Sequence, residues 1–139
     1  MQLGAHFAGI AIENSMLGAC HACANPLTAH YGLTHGIAIG VMLPHVIRWN
    51  ASVAGELYRD LAHEAHIPDG DTNVAADSLA RRISDFMKMA DLSTSLSAYG
   101  ASTSILPVLA EEAARQWTGR FNPRPMTEAS FLQLYEAAL

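Results

Sequence analysis

The chain has 139 residues, half of them hydrophobic and only 15% charged, with a formal net charge of −5. That length suits one domain with its own core, and the composition leaves little room for intrinsic disorder. The acidic balance, without a basic stripe to displace counterions from phosphates, argues against a nucleic-acid partner.

Alanine and leucine dominate while valine and the aromatics are sparse, which favours helix over sheet. In chain order, Gln2 to Asn14 is a small-residue apolar segment carrying Phe7, Ile10 and Ile12. Asn14-Ser15 and Gly18 mark a break. A second helix is expected over Leu17 to Tyr31, with Pro26 kinking or restarting it. Gly32 to Gly36 reads as a loop, and Ile37 to Trp49 as an apolar helix with Pro44 inside. Val53 to His66 places Leu57, Leu61 and Ala65 on one face, and Ile67-Pro68-Asp69-Gly70 is a turn. The helix expected over Thr72 to Leu92 aligns Leu79, Ile83, Phe86, Met87 and Ala90 in one stripe. Ser93 to Ser104 is loop-like. Pro107 suits a first helical position, opening a helix to about Trp117. After a loop from Gly119 to Pro125, Thr127 caps a last helix, with Met126 and Phe131 at the spacing of a hydrophobic staple. The pattern is an all-α bundle of about seven helices in a single domain, 1–139.

The longest apolar run, Ile37 to Leu43, is interrupted by Gly40 and closed by Pro44, far short of a membrane span. No charged start followed by an apolar block marks a signal peptide. A cytoplasmic setting with reduced thiols is therefore expected.

Both cysteines and three histidines fall in "CHACANPLTAHYGLTHG", Cys20 to Gly36. Cys20 and Cys23 form a C-x-x-C pair, but no second pair completes a structural zinc site and no βαβ context supports a redox motif. They read as small buried hydrophobes. His21 and His35 flank a Pro- and Gly-containing bend. They meet only if the helix ends there and the loop folds back, and two imidazoles alone make a weak metal site. His63 and His66 read as solvated, His6 and His45 as satisfied core histidines, and His30 can face either way.

Taken together, "LGACHACANPLTAHYGLTHGIAIGVMLPHVIRWN", Leu17 to Asn50, resembles the long signature of the iron-containing (group III) alcohol dehydrogenases. That signature runs G-x-x-H-A-x-A-H-x-L-G-A-x-Y, then P-H-G, A-N-A, L-L-P-x-V and a closing F-N or Y-N. "FAGIAIENSMLGA", Phe7 to Ala19, resembles the preceding family helix, and "FNPRPMTEASFLQLYEAAL", Phe121 to Leu139, the closing loop and helix. The resemblance implies the helical C-terminal domain of a two-domain enzyme that passes hydride from an alcohol to NAD or NADP at a divalent metal, usually iron. The family's metal takes an aspartate and three histidines. His21 matches the third ligand of that set and His35 the fourth, although Thr34 stands where the family mostly has proline. Asn25 replaces the second histidine of the family's H-x-x-x-H, a position close to the nicotinamide. Trp117 and Phe121 fall at a segment near the family's substrate pocket.

The first two ligands and the whole dinucleotide-binding domain have no counterpart in this chain. The resemblance therefore implies a fragment or truncated form without alcohol-oxidising activity by itself, able to use a cofactor only with a separate dinucleotide-binding domain. A stand-alone helical module acting by binding or self-association is the alternative. Without a partner domain, the helices around Phe7 to Ile12 and Ile37 to Val46 are the expected uncovered surfaces, favouring a homo-oligomer. Metal affinity should be weak.

Overall fold

The computed structural model describes residues 2–139, and among them every regular element is helical. The α-helices are α1 (Gln2–Ser15), α2 (Ala19–Tyr31), α3 (His35–Glu64), α4 (Thr72–Met89), α5 (Leu106–Arg115) and α6 (Glu128–Ala138). Two stretches expected to be irregular instead tighten into 3₁₀ turns, Leu96–Tyr99 and Trp117–Phe121.

Local chemistry explains most of the boundaries. Gly32 ends α2 in the left-handed region (φ 62°), donating its N–H to the Thr28 carbonyl. Pro26 lies buried inside α2, and the helix runs on through it. The Asp71 carboxylate caps α4 by accepting from the N–H groups of Asn73 and Val74, both at 2.9 Å. Thr127 caps α6 by accepting from Ser130 N–H at 3.2 Å, and Met126 and Phe131 both pack into the core across that cap.

The two helices expected over 37–49 and 53–66 form one helix of 30 residues. Asn50, the residue most able to interrupt it, sends its side chain to Asn122 rather than to its own backbone. The segment Asn50-Ala51-Ser52 holds no Pro or Gly to stop the helix, so α3 continues and α4 packs along it.

The core centres on α2. Ala19, Ala22, Cys23 and Leu27 meet Val41 and Met42 of α3, Leu106 and Leu109 of α5, and Phe131 and Tyr135 of α6. Alanines at these contacts let the helices approach closely. The Tyr135 hydroxyl, fully buried, donates to the Cys23 carbonyl at 2.8 Å. A smaller cluster of Ile47, Ala76 and Ala80 joins α3 to α4.

Several expected faces are reversed. On the second half of α3, Ala54, Gly55 and Ala62 are buried, while Leu57 and Leu61 are 71% and 55% exposed. Small residues win the contact because a close helix pair excludes larger ones. Phe86 leaves its stripe in the same way and is exposed, whereas its neighbour Met87 is buried. The Ile37 to Val46 segment is largely core, with Ala38, Val41, Met42, Pro44 and Val46 buried, so it is not an uncovered surface. α1 is the opposite case. It buries no residue, and Leu3, Phe7, Ile10 and Ile12 all face outward. His6, expected in the core, is exposed on this helix.

Candidate metal half-site

His21 stands in the first turn of α2 and His35 is the first residue of α3. The loop after Gly32 brings the start of α3 back across α2, and the two imidazole rings lie with centroids 5.3 Å apart, tilted by 42°. The Cys20 thiol, beside His21, donates to the Ile39 carbonyl at 3.7 Å, tying these two stretches together.

Burial lowers the pKa of His21, and the neighbouring His35 lowers it further. Both effects favour the neutral imidazole, the form that ligates metal. Each histidine also rises from the first turn of a helix, where unpaired backbone N–H groups form the positive end of the helix dipole. A cation between the rings therefore needs an anionic partner. No group of three or more His, Cys, Asp or Glu donors gathers among the described residues. The donors suit two positions of a metal site and do not complete one.

Asn25, one turn beyond His21, is exposed and donates to the Gln116 side-chain oxygen at 2.9 Å. Gln116 leads into the Trp117–Phe121 turn, whose Gly119 sits so close to α2 that a Cβ there would lie 3.5 Å from that of Ala22. Trp117 and Phe121 flank this glycine as an edge-to-face pair, 5.9 Å between centroids, each about half exposed. They form an aromatic surface beside the first turns of α2.

The cysteines are core residues. Both are free and buried; burial pushes the Cys20 thiol up to about 12, and burial followed by the proximity of Cys20 raises Cys23. His45 is half-buried in α3, and His63 is exposed and bonded to Asp69 at 2.9 Å. His30 faces outward and meets both oxygens of Glu112, at 3.0 and 3.1 Å.

One feature escaped the reading of individual residues. Asn122 and Asn50 are buried and exchange both amide hydrogen bonds, at 2.8 and 3.1 Å. Asn122 also accepts from the Ala19 N–H at 3.3 Å and donates to the Arg124 carbonyl at 2.7 Å. This clasp caps the start of α2, two residues before His21, in place of Gly18, which has no side chain to do so. The Cβ of any larger residue at Gly18 would approach Asn122 Oδ1 to 3.2 Å. The only trace in the sequence is two asparagines, each following a large aromatic, in "RWN" and "RFN".

The fold is an all-α domain in which two histidines from separate helices stand close together. The whole chain, residues 1–139, matches the model of the Fe-containing alcohol dehydrogenase family, C-terminal, and the protein belongs to that family. It is 31% identical to the lactaldehyde reductase of Escherichia coli (strain K12) over 140 residues, covering 99% of this chain and 37% of that protein. Identity to the 1,3-propanediol dehydrogenase of Citrobacter freundii is 31% over 133 residues, covering 94% of this chain and 34% of that enzyme. The crystal structure of a 1,3-propanediol oxidoreductase superposes with a TM-score of 0.88 at 29% identity, over 95% of this chain and 35% of that one. The chain thus spans little more than a third of the length of these relatives.

Proposed function

We propose that this chain supplies two imidazole ligands, His21 and His35, to the divalent metal of an NAD(P)-linked alcohol oxidoreductase, with iron as the expected metal. The observation that carries this reading is the 5.3 Å approach of the two rings across the α2–α3 bend. When bound, such a metal supplies Lewis acidity toward an alcohol oxygen, and a nicotinamide ring supplies the hydride acceptor.

The chain's own residues have limited, definable parts in this. The half-buried position of His21 keeps its imidazole neutral and ready to ligate. Asn25 carries an amide, which does not titrate, and its bond to Gln116 fixes it as a polar orienting group rather than a proton donor. Trp117 and Phe121 offer an apolar face to the carbon chain of an alcohol and displace water from it. The remaining ligands, at least one of them anionic, and the dinucleotide site come from a further domain, either in the same protein or as a separate partner. Turnover is expected only with that domain present; NAD-dependent alcohol oxidation by the 139 residues alone would overturn this division.

Zinc titration followed by imidazole NMR tests the ligand assignment. His21 and His35 are expected to respond together, and His21→Ala is expected to abolish the response of His35. A response confined to His63 and His66 would refute the assignment.

The exposed apolar residues of α1 favour a second reading beside this one, self-association through that helix. Sedimentation of the chain, and of the triple variant Leu3→Ser, Phe7→Ser, Ile10→Ser, tests it. A dimer or larger species that reverts to monomer in the variant supports it; a monomer of 14.9 kDa from the parent chain counts against it.

A further inference from the structure

A second site lies away from the histidine pair. A cavity of about 290 Å³ opens between α3 and α6, lined by His45, Arg48 and Trp49 on one side, Gln133 and Leu134 on the other, and Arg124 from the loop before α6. Along α3, His45 is about 15 Å from His35, ten residues at 1.5 Å each.

The groups around this cavity are mostly hydrogen-bond donors. The Arg124 guanidinium carbon lies over the indole of Trp49, 3.7 Å from the ring centre, and one of its nitrogens donates to the Trp49 carbonyl at 2.9 Å. No carboxylate pairs with Arg124 among the described residues. Arg48 does have a partner, Asp77 at 2.8 Å, but Asp77 is shared with Arg81 at 2.6 Å, so one carboxylate faces two guanidinium groups. The Trp49 indole N–H is buried and finds no acceptor. Burial, and then the charge of Arg48, lower the pKa of His45. A cavity with one guanidinium free of any carboxylate among the described residues, and a buried indole N–H without an acceptor, suits an anion. Trp49, Leu134 and Ala137 add apolar lining, which suits an anion with an apolar body over a bare inorganic ion.

We propose that this cavity binds a small organic carboxylate, its oxygens held by Arg124 and its carbon body lying against Trp49 and Leu134.

Benzoate and its neutral isostere benzamide are the probes, added to the 139-residue chain at constant ionic strength and followed by NMR. The indole N–H of Trp49 is the reporter and that of Trp117 the internal control. Benzoate is expected to shift Trp49 and leave Trp117 in place, and to raise the pKa of His45 as it saturates. Arg124→Gln should remove binding, but this variant also loses the bond to the Trp49 carbonyl and can unfold. Gln133→Glu avoids that problem, because Gln133 is exposed and the change only adds negative charge at the rim. It should weaken benzoate by about tenfold, as should the change of probe to benzamide. Equal binding of benzamide, unchanged affinity in Gln133→Glu, or no response of Trp49 at about 50 mM benzoate would each overturn the proposal.

Discussion

Replacing Asn122 by alanine removes the centre of the clasp that joins α2, α3 and the loop before α6. Its amide takes part in four hydrogen bonds, with Ala19, Asn50 twice and Arg124, in a site only 8% exposed. Each such bond is worth about 1 kcal/mol net, and the long one to Ala19 less. The substitution also strands the buried Asn50 amide, adding about 1 kcal/mol or more. Asn122→Ala should therefore lose about 4–5 kcal/mol, and Asn50→Ala about 2–3 kcal/mol because Asn122 keeps its other two partners. In the double variant neither side-chain amide is left stranded, so the loss should be about 4 kcal/mol, a coupling of about 3 kcal/mol between the two residues. Urea unfolding followed by far-UV circular dichroism measures all three. A loss below about 1 kcal/mol for Asn122→Ala, or simple additivity in the double variant, would refute the clasp as a cooperative unit. Because the clasp sets the first turn of α2, Asn122→Ala should also loosen the approach of His21 to His35. Weaker zinc binding by the variant, measured under conditions where it remains folded, is the corresponding readout.

Gly55 faces Thr72 so closely that a Cβ would lie 2.6 Å from the Thr72 Cβ. Gly55→Ala should therefore lower the melting temperature, overpacking of about 1–3 kcal/mol exceeding the gain of about 1 kcal/mol in helix propensity; a rise would show that α3 and α4 separate freely there. The buried thiols make the fold sensitive to alkali. The folded pKa of Cys20 is raised from 9.0 to about 12, so its contribution is fully present below pH 9 and is lost as pH rises toward 12, at about 1.4 kcal/mol per unit. Urea midpoints should fall over that window and recover in part in Cys20→Ala; a flat profile would contradict the burial of the thiol. Tyr135→Phe removes only the bond to the Cys23 carbonyl and should lose about 1 kcal/mol by the same unfolding assay, with no change in the denaturant slope.

The sequence alone determined the class of fold and most of the places where helices stop or start. Alanine- and leucine-rich segments, Gly32, the Ile67 to Gly70 turn and the Thr127 cap act through local propensity and backbone geometry, which need no distant partner. The signature from Leu17 to Asn50 also marked His21 and His35 as a pair, through resemblance to a family rather than through spacing. Which helical face points inward was a tertiary decision. The second half of α3 carries two plausible faces, one of Leu57 and Leu61 and one of Ala54, Gly55 and Ala62. Contact with α4 selects the small-residue face, because only that face permits close packing. The continuity of α3 through Asn50 was settled in the same way, by a hydrogen-bond partner 72 residues away in the chain. His6, expected in the core, stands exposed on α1, whose apolar row, expected as an uncovered surface, buries none of its described residues. The approach of the two imidazoles is also tertiary, since residues on separate helices meet only where the loop after Gly32 and the packing of α3 across α2 direct them.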